Sequence, residues 1–206
     1  RPDGDNTATR MTNISHQGPL RVQRPFYPEG RNGCCHVYLL HPPGGLVSGD
    51  ALSIEARVGE GAHTLLTTPA AAKLYKADSQ GVAWIQHTEL TVEEGGTLEW
   101  LPQETIVFDN ARLRRLTVAD VAPGARLLAG EIVVFGRTAM GECLTGGLVR
   151  EAWEVYRDGR LVWADAMHID ETLKQTLDAP SGFDGAVAFG VGALRVLGAL
   201  GRELDD

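Results

Sequence analysis

Short stretches of alternating apolar and polar residues dominate this chain, and glycine, proline, aspartate or asparagine separates them. From residue 52 to residue 58 apolar side chains occupy every second position, which is the pattern of a strand with one buried face. Similar stretches predict strands at 36–40, 82–92, 98–101, 113–118, 127–135, 148–156 and 161–167. Asp158-Gly159 lies between the last two and predicts a two-residue hairpin.

Evidence for helices is weak by comparison. Segment 67–75 contains three consecutive alanines, but Pro69 interrupts it, so the sequence predicts at most a short helical turn there. The tail 187–204 has apolar residues at helical spacing. Its glycines, however, each cost about 1 kcal/mol inside a helix, which leaves the tail open between a strand and a poor helix.

A Val-x-x-Gly motif followed by a small residue occurs three times, starting at Val58, Val92 and Val121, with spacings of 34 and 29 residues. One interpretation is a stack of repeated units, which predicts a layered, solenoid-like β architecture. The other is that all-β proteins commonly place glycine after valine in turns. Together the patterns predict an all-β fold with few short helices, formed as one domain over 1–206 with a flexible segment at 1–9.

Composition narrows the class of function. The net charge of −8 argues against nucleic-acid binding and is compatible with cations or basic protein surfaces as partners. No apolar run is long enough to span a membrane, and three cysteines suit a reducing cytoplasm better than a disulfide framework. No hydrolase or metalloprotease motif is present, so we expect no enzymatic activity. No signal peptide opens the chain. Because it starts at Arg1 and not at a methionine, we expect the natural N-terminus to lie upstream.

The loop 41–50 is the first segment with chemical character. Two prolines and three glycines shape it, and it ends at Asp50, yet it fits neither a Walker loop nor a dinucleotide fingerprint. It is either a rigid connection in which Asp50 caps a turn, or a shaped loop that directs Asp50 into a polar passage.

Carboxylates among bulky side chains mark two further segments. Glu104 and Asp109 lie in segment 100–109, and the arginines that follow could pair with them in a structural ion-pair network. Glu131 interrupts an apolar run, which is costly unless the side chain faces water or a metal, and Glu142 follows a few residues later. Carboxylates bind a borderline divalent ion more weakly than imidazole or thiolate does, which suits passage of a metal ion better than storage.

Softer ligands crowd at Cys34-Cys35-His36, with His41 nearby. They lack the paired C-x-x-C spacing of a structural zinc site. On a strand, Cys34 and His36 would face one way and Cys35 the other, so we expect one buried and one surface cysteine. A transient metal contact through Cys35, His36 and His41 is the alternative. The other histidines receive no assigned role.

Several segments in fixed order, over residues 10–170, together resemble the UreD (UreH) family of urease accessory proteins. They are 18–29, 41–50, 67–75, 100–115 and 136–142. The resemblance implies a mostly β fold of stacked, helicoid sheets without catalytic activity. It implies binding to urease apoprotein and to UreF, which recruits the GTPase UreG. It also implies that no cofactor is permanently bound and that Ni²⁺ passes transiently through a water-filled tunnel.

The resemblance also assigns residues. Asp50 and Glu131 match acidic positions that line the family's tunnel, and Glu104 and Glu142 lie in matching motifs. The remaining motif positions have structural roles: Gly44, Gly45, Pro102, Gln103, Asp109 and Arg112.

The chain departs from the family pattern in two respects. It has Ala72 where the family often has serine or threonine before the motif lysine, which removes a polar contact. Its N-terminal leader and C-terminal part are shorter than is usual, and part of the UreF-binding surface is expected in the missing C-terminal part. Two other functions stay open: a pure adaptor without a nickel path, and a metallochaperone with Cys/His ligands.

Overall fold

The computed structural model describes residues 2–3, 6–30, 33–170 and 172–195. Within this part of the chain there are fifteen strands, one 3-10 turn at Thr138–Met140 and one short helix, α1, at Leu173–Asp178. The strands are β1 Pro2–Asp3, β2 Asn6–Thr9, β3 Arg21–Val22, β4 Cys35–Leu40, β5 Ala51–Val58, β6 His63–Thr67, β7 Ala72–Leu74, β8 Trp84–Val92, β9 Thr97–Trp100, β10 Thr105–Val107, β11 Arg112–Val121, β12 Arg126–Phe135, β13 Leu148–Arg157, β14 Arg160–Ile169 and β15 Ala188–Arg195.

Two sheets pack face to face in a β-solenoid of about four turns. Sheet I has the order β3-β4-β6-β9-β12-β10-β7, with β15 also paired to β12, and sheet II has the order β14-β13-β11-β8-β5. Each turn runs through sheet I and returns through sheet II, so neighbouring turns pair in parallel. The prediction of a mostly β fold with stacked, solenoid-like sheets is confirmed.

The Val-x-x-Gly motif forms the corner where each turn leaves sheet II. Val58, Val92 and Val121 lie side by side in the register of β5, β8 and β11. Gly61, Gly95 and Gly124 follow them with φ of 64°, 67° and 73°, a left-handed conformation that glycine adopts without steric cost. The repeat interpretation is therefore correct, because the motif recurs once per turn at the same corner.

The segment around the three alanines is not helical, and the prediction of a helical turn there was wrong. Residues Ala72–Leu74 form β7, and the Ala72 N–H donates to the Glu104 carbonyl across the sheet at 2.9 Å. Hydrogen bonding to a neighbouring strand outweighs the helix propensity of alanine, which is worth well under about 1 kcal/mol per residue.

Part of the ambiguous tail forms strand β15, which pairs antiparallel with β12. Its glycines permit this close approach, because a Cβ at Gly192 would lie 3.2 Å from the Ala129 carbonyl oxygen. Residues 196–204 of the predicted segment lie outside the described residues. At the other end of the chain, residues 2–3 and 6–9 pair as β1 and β2, within the segment predicted to be flexible.

The interior contains two apolar clusters. One centres on Leu66, Leu98 and Leu127 and the other on Leu74, Val107 and Val133, with sheet II residues completing both. Burying each such side chain contributes about 1.5–3 kcal/mol. A layer of polar side chains lies among the inward-facing residues of sheet II, and it is the subject of the next subsection.

The predicted hairpin at Asp158-Gly159 is present between β13 and β14, with both residues at positive φ (51° and 69°). Gly147 also has a positive φ of 137°, but a Cβ there would lie 2.5 Å from the Ala111 carbonyl oxygen, whereas a Cβ at Gly159 would meet nothing within 4 Å.

We predict that Gly147→Ala destabilises the protein more than Gly159→Ala does. The hairpin variant carries only the backbone penalty of about 1–2 kcal/mol. The Gly147 variant adds a steric clash with backbone and should lose more than about 3 kcal/mol. Urea unfolding of both variants measures the difference, and equal losses would contradict the proposed crowding at Gly147.

Candidate functional site

Three consecutive turns of sheet I are interrupted at the same level. Strand β4 ends at Leu40 and the chain returns to the sheet at Leu46, which bridges to Leu74. The next two turns break at 68–71, between β6 and β7, and at 101–104, between β9 and β10. Strand β12 passes this level without a break. These three breaks are stacked on one another, so sheet I has a gap beside the continuous strand β12.

The opening leads into a cavity of about 150 Å³ between the two sheets. The three loops form its outer part, and inward-facing residues of both sheets form its inner part. Many of its lining residues are apolar. The polar side chains and loop positions among them are His41, Gly44, Gly45, Thr68, Lys73, Gln86, Trp100, Pro102, Gln103, Thr105, Arg115 and Glu131. A Cβ at Gly45 would overlap the Tyr75 ring, so a side chain there would displace this exposed ring.

A buried charged cluster lies at the inner end of the cavity. Arg115 faces inward from β11, and Glu151 lies beside it at the same register position on β13. The Arg115 Nε donates to both Glu151 oxygens at 2.8 Å, and Arg115 Nη1 donates to Thr105 Oγ1 at 2.9 Å. From sheet I, Glu131 places Oε2 at 3.0 Å from Arg115 Nε and accepts a 2.9 Å hydrogen bond from Trp100 Nε1.

The cluster contains two carboxyl groups for one guanidinium, and all three side chains are almost fully buried. Burial raises the pKa of Glu151 to about 8. Arg115 opposes this rise, and the Glu131 carboxylate adds to it. The two carboxylates outweigh the effect of burial on Arg115 and raise its pKa, so it stays charged. Near neutral pH, Glu151 therefore holds a proton, and that proton balances the charge of the cluster.

The structure places the two predicted tunnel acids differently. Glu131 lines the cavity, but Arg115 and Trp100 contact it, where the sequence suggested water or a metal. Asp50 is exposed, is not among the cavity-lining residues, and accepts a 3.2 Å hydrogen bond from the Val47 N–H. This is the geometry of the turn-capping interpretation, and a role for Asp50 in nickel passage stays a prediction.

The acidic residues of the later motifs hold loops together. Asp109 accepts hydrogen bonds from Thr145 N and Oγ1, at 2.6 and 2.9 Å, and from Asn110 Nδ2 at 2.8 Å. These bonds outweigh burial and lower the pKa of Asp109. The expected pairing of Asp109 with the following arginines was wrong, because Arg115 points inward to the two glutamates and the Arg112 Nε has no hydrogen-bond partner within the described residues.

Glu142 and Glu104 also lie away from the cavity lining. Glu142 accepts hydrogen bonds from Arg137 Nε and Nη2 at 2.9 and 3.0 Å, and these bonds lower the pKa of Glu142. The Arg137 guanidinium in turn lies 4.1 Å from the centre of the Phe108 ring. Glu104 is half-buried, and its backbone carbonyl accepts the hydrogen bond from Ala72.

The three proposed soft ligands do not converge. Cys35 is buried with Sγ 3.7 Å from the Tyr27 hydroxyl, His36 lies 3.3 Å from Glu29, and His41 lines the cavity. Cys34 is also buried, so the expectation of one surface cysteine was wrong. Cys34 immediately precedes β4, and its place at the strand end removes it from the simple alternation of faces.

Sequence reasoning missed Gln86, Arg115 and Glu151 as site residues. A signal was present, because each occupies an alternate, core-facing position in a stretch whose other residues at that spacing are apolar or threonine. A polar side chain in such a position must find a partner inside the protein.

No helix within the described part of the chain is long and apolar enough to cross a membrane.

Comparison with known proteins gives a consistent result. A family model described as UreD urease accessory protein matches residues 2–201. The chain is 54% identical over 171 residues to urease accessory protein UreD 1 of Psychrobacter cryohalolentis, covering 83% of this chain and 57% of that protein. It is 54% identical to the UreD protein of Marinobacter nauticus (86% and 59% covered) and 46% identical to that of Cupriavidus necator (96% and 63% covered). The chain thus spans a little more than half the length of these curated relatives.

The proton on Glu151 predicts a pH dependence of stability. A carboxyl whose pKa is raised in the folded state binds a proton that the unfolded chain has already released above about pH 4.5. The contribution of Glu151 to the free energy of unfolding therefore falls as pH rises from about 5 to about 8 and then levels off.

Urea unfolding at about pH 6 and about pH 9 measures this effect. We expect Glu151→Gln, which is neutral throughout, to lose less stability between these values than the unaltered protein does. Glu55→Gln, at an exposed position on β5, should lose as much as the unaltered protein. An unchanged slope in Glu151→Gln would contradict protonation at this site.

Proposed function

The chain belongs to the UreD family of urease accessory proteins, and from this premise we propose that it delivers nickel to apo-urease through the cavity that ends at Glu131. In this proposal it acts in the cytoplasm as a non-catalytic scaffold. It binds urease apoprotein at one surface and UreF at another, and UreF recruits the GTPase UreG. Nickel is the cargo, and no cofactor is permanently bound.

One observation carries the proposal: the cavity connects loops at the opened face of sheet I with a buried cluster that has more carboxyl groups than cations. A cavity that served packing alone would be lined by apolar side chains, and such cavities stay dry. Here much of the lining is apolar, but Gln86, Thr105, Arg115 and Glu131 form a polar patch within it. Polar lining of this kind can hold water molecules that keep a divalent ion hydrated.

The protonation state of the cluster supplies a mechanism for passage without retention. A divalent ion that approaches Glu131 lowers the pKa of Glu151, so the Glu151 proton can leave as the ion arrives. When the ion moves on, the proton returns and the buried charge is balanced again. Arg115 stays charged and repels the ion, which prevents the two carboxylates from forming a tight chelate.

We predict that Glu131→Gln lowers urease activation by at least about tenfold while the fold and partner binding are retained. The glutamine oxygen can still accept from Trp100 Nε1, and Glu151 remains to neutralise Arg115. The assay is urease activity after incubation of apo-urease with the accessory proteins, nickel, bicarbonate and GTP, with co-purification to confirm assembly of the complex.

Two further variants sharpen this test. Ala71→Leu should lower activation by filling the cavity entrance without changing any charge, because Ala71 lines the cavity and is half-buried. Glu55→Gln changes an exposed carboxylate outside the cavity and should activate normally. Normal activation by both cavity variants would favour a pure adaptor, in which nickel travels by another route.

Asp50→Ala provides a separate prediction, because Asp50 is exposed outside the cavity. If Asp50 gathers nickel at the surface of the loop, its removal should lower activation at limiting nickel and be rescued by excess nickel. Activation measured over a range of nickel concentrations decides this. A uniform loss at every concentration would instead indicate that Asp50 matters for the shape of the 41–50 loop.

A further inference from the structure

Three side chains of different chemistry meet on sheet I, away from the cavity. Cys34 Sγ, His63 Nε2 or Nδ1 and a Glu99 carboxylate oxygen all lie within 4.8 Å of one another. They come from three neighbouring turns, because Cys34 directly precedes β4, His63 begins β6 and Glu99 lies in β9. None of the three is among the residues that line the cavity.

The local structure explains why they meet. Cys35 pairs with Thr64 in the parallel register of β4 and β6, which sets Cys34 opposite His63. On β9, Leu98 and Trp100 are buried in the core, so the intervening Glu99 points to the other face. Its Oε1 lies 2.7 Å from His63 Nε2.

We infer that Cys34, His63 and Glu99 form a binding site for a borderline divalent metal ion such as nickel, cobalt or zinc. Thiolate, imidazole and carboxylate are the ligands such ions take in proteins, at about 2.0–2.3 Å. Ligand atoms around a four-coordinate ion then lie about 3–4 Å apart, so small side-chain movements would convert this cluster into a coordination shell. Three protein ligands leave a fourth position for water or for an exchanging ligand.

Access and charge suit this role. Cys34 is buried, whereas the side chains of His63 and Glu99 are 43% and 29% exposed, so an ion can enter from solvent. Glu29, which pairs with His36 at 3.3 Å, lies close enough to act electrostatically on the Cys34 sulfur. Its carboxylate adds negative potential beside the cluster.

The thiol must lose its proton for the ion to bind. Burial raises the pKa of Cys34 to about 12, and the Glu99 and Glu29 carboxylates add to the rise, so the thiol is protonated when no ion is bound. A bound cation reverses this balance, and ion binding must release the thiol proton.

This site does not depend on passage of nickel through the cavity, and binding to the purified full chain tests it. The probe is Co²⁺ alone, because cobalt bound to a thiolate shows a charge-transfer band in the near ultraviolet. We expect one Co²⁺ per chain with this band. We expect Cys34→Ser to abolish the band, and His63→Gln and Glu99→Gln to weaken cobalt binding by more than about tenfold.

Two control variants match the test variants in chemistry. Cys143→Ser removes an exposed free thiol, and His87→Gln disrupts an exposed His–Glu pair, Nδ1 to Oε1 3.4 Å, that is not part of the cluster. Both should bind cobalt like the unaltered chain. If circular dichroism shows that Cys34→Ser does not fold, the cobalt affinity of His63→Gln tests the site instead, because His63 is half-exposed. A band that survives in Cys34→Ser, a band lost in Cys143→Ser, unchanged affinity in His63→Gln, or no band in the unaltered chain would overturn the site.

Discussion

One buried arginine shared by two carboxyl groups, one of them protonated, is the constraint on which the interior of this solenoid depends. Arg115 lies in sheet II and contacts Glu151 beside it and Glu131 across the interior, so the cluster joins both sheets. Removing one partner of a buried ion pair typically costs about 3–5 kcal/mol, because the remaining charge is left without compensation. The contacts of Arg115 thereby tie β12 of one sheet to β11 and β13 of the other.

The same constraint explains the open cavity. An apolar interior would close tightly over stacked loops, since voids forfeit packing energy. Loops at the same level of three successive turns open sheet I. At that level, Gln86 and Arg115 of sheet II bring polar groups to the cavity. A solenoid favours such a feature, because a loop at one position in one turn is stacked on the loop of the next.

Local patterns in the sequence predicted the strands, the hairpin at Asp158-Gly159 and the corners of the solenoid. Each of these depends on residues close together in the chain, such as apolar residues at every second position or a Val-x-x-Gly turn. The pairing of Arg115 with Glu151, which are 36 residues apart, depends on the register between turns. In the sequence, Asp109 is the nearer partner for the arginines. The register between β11 and β13 instead places Glu151 beside Arg115. Likewise Glu131 was identifiable as an anomaly, but its contact with Trp100 was not.

The two faces of sheet I offer a metal ion contrasting environments. On the inner face, in the proposed nickel path, carboxylates beside a fixed arginine would bind the ion weakly, and the Glu151 proton would replace it. On the other face, a thiol, an imidazole and a carboxylate offer softer ligands at the cost of removing a proton from a buried sulfur. An ion retained by the second set would exchange slowly and would need a competing ligand to leave. In the proposed path, an ion at the first set would leave when the proton returns to Glu151. On β9, the adjacent residues Glu99 and Trp100 point to opposite faces of the sheet. The strand thus separates the site proposed for retention from the path proposed for release.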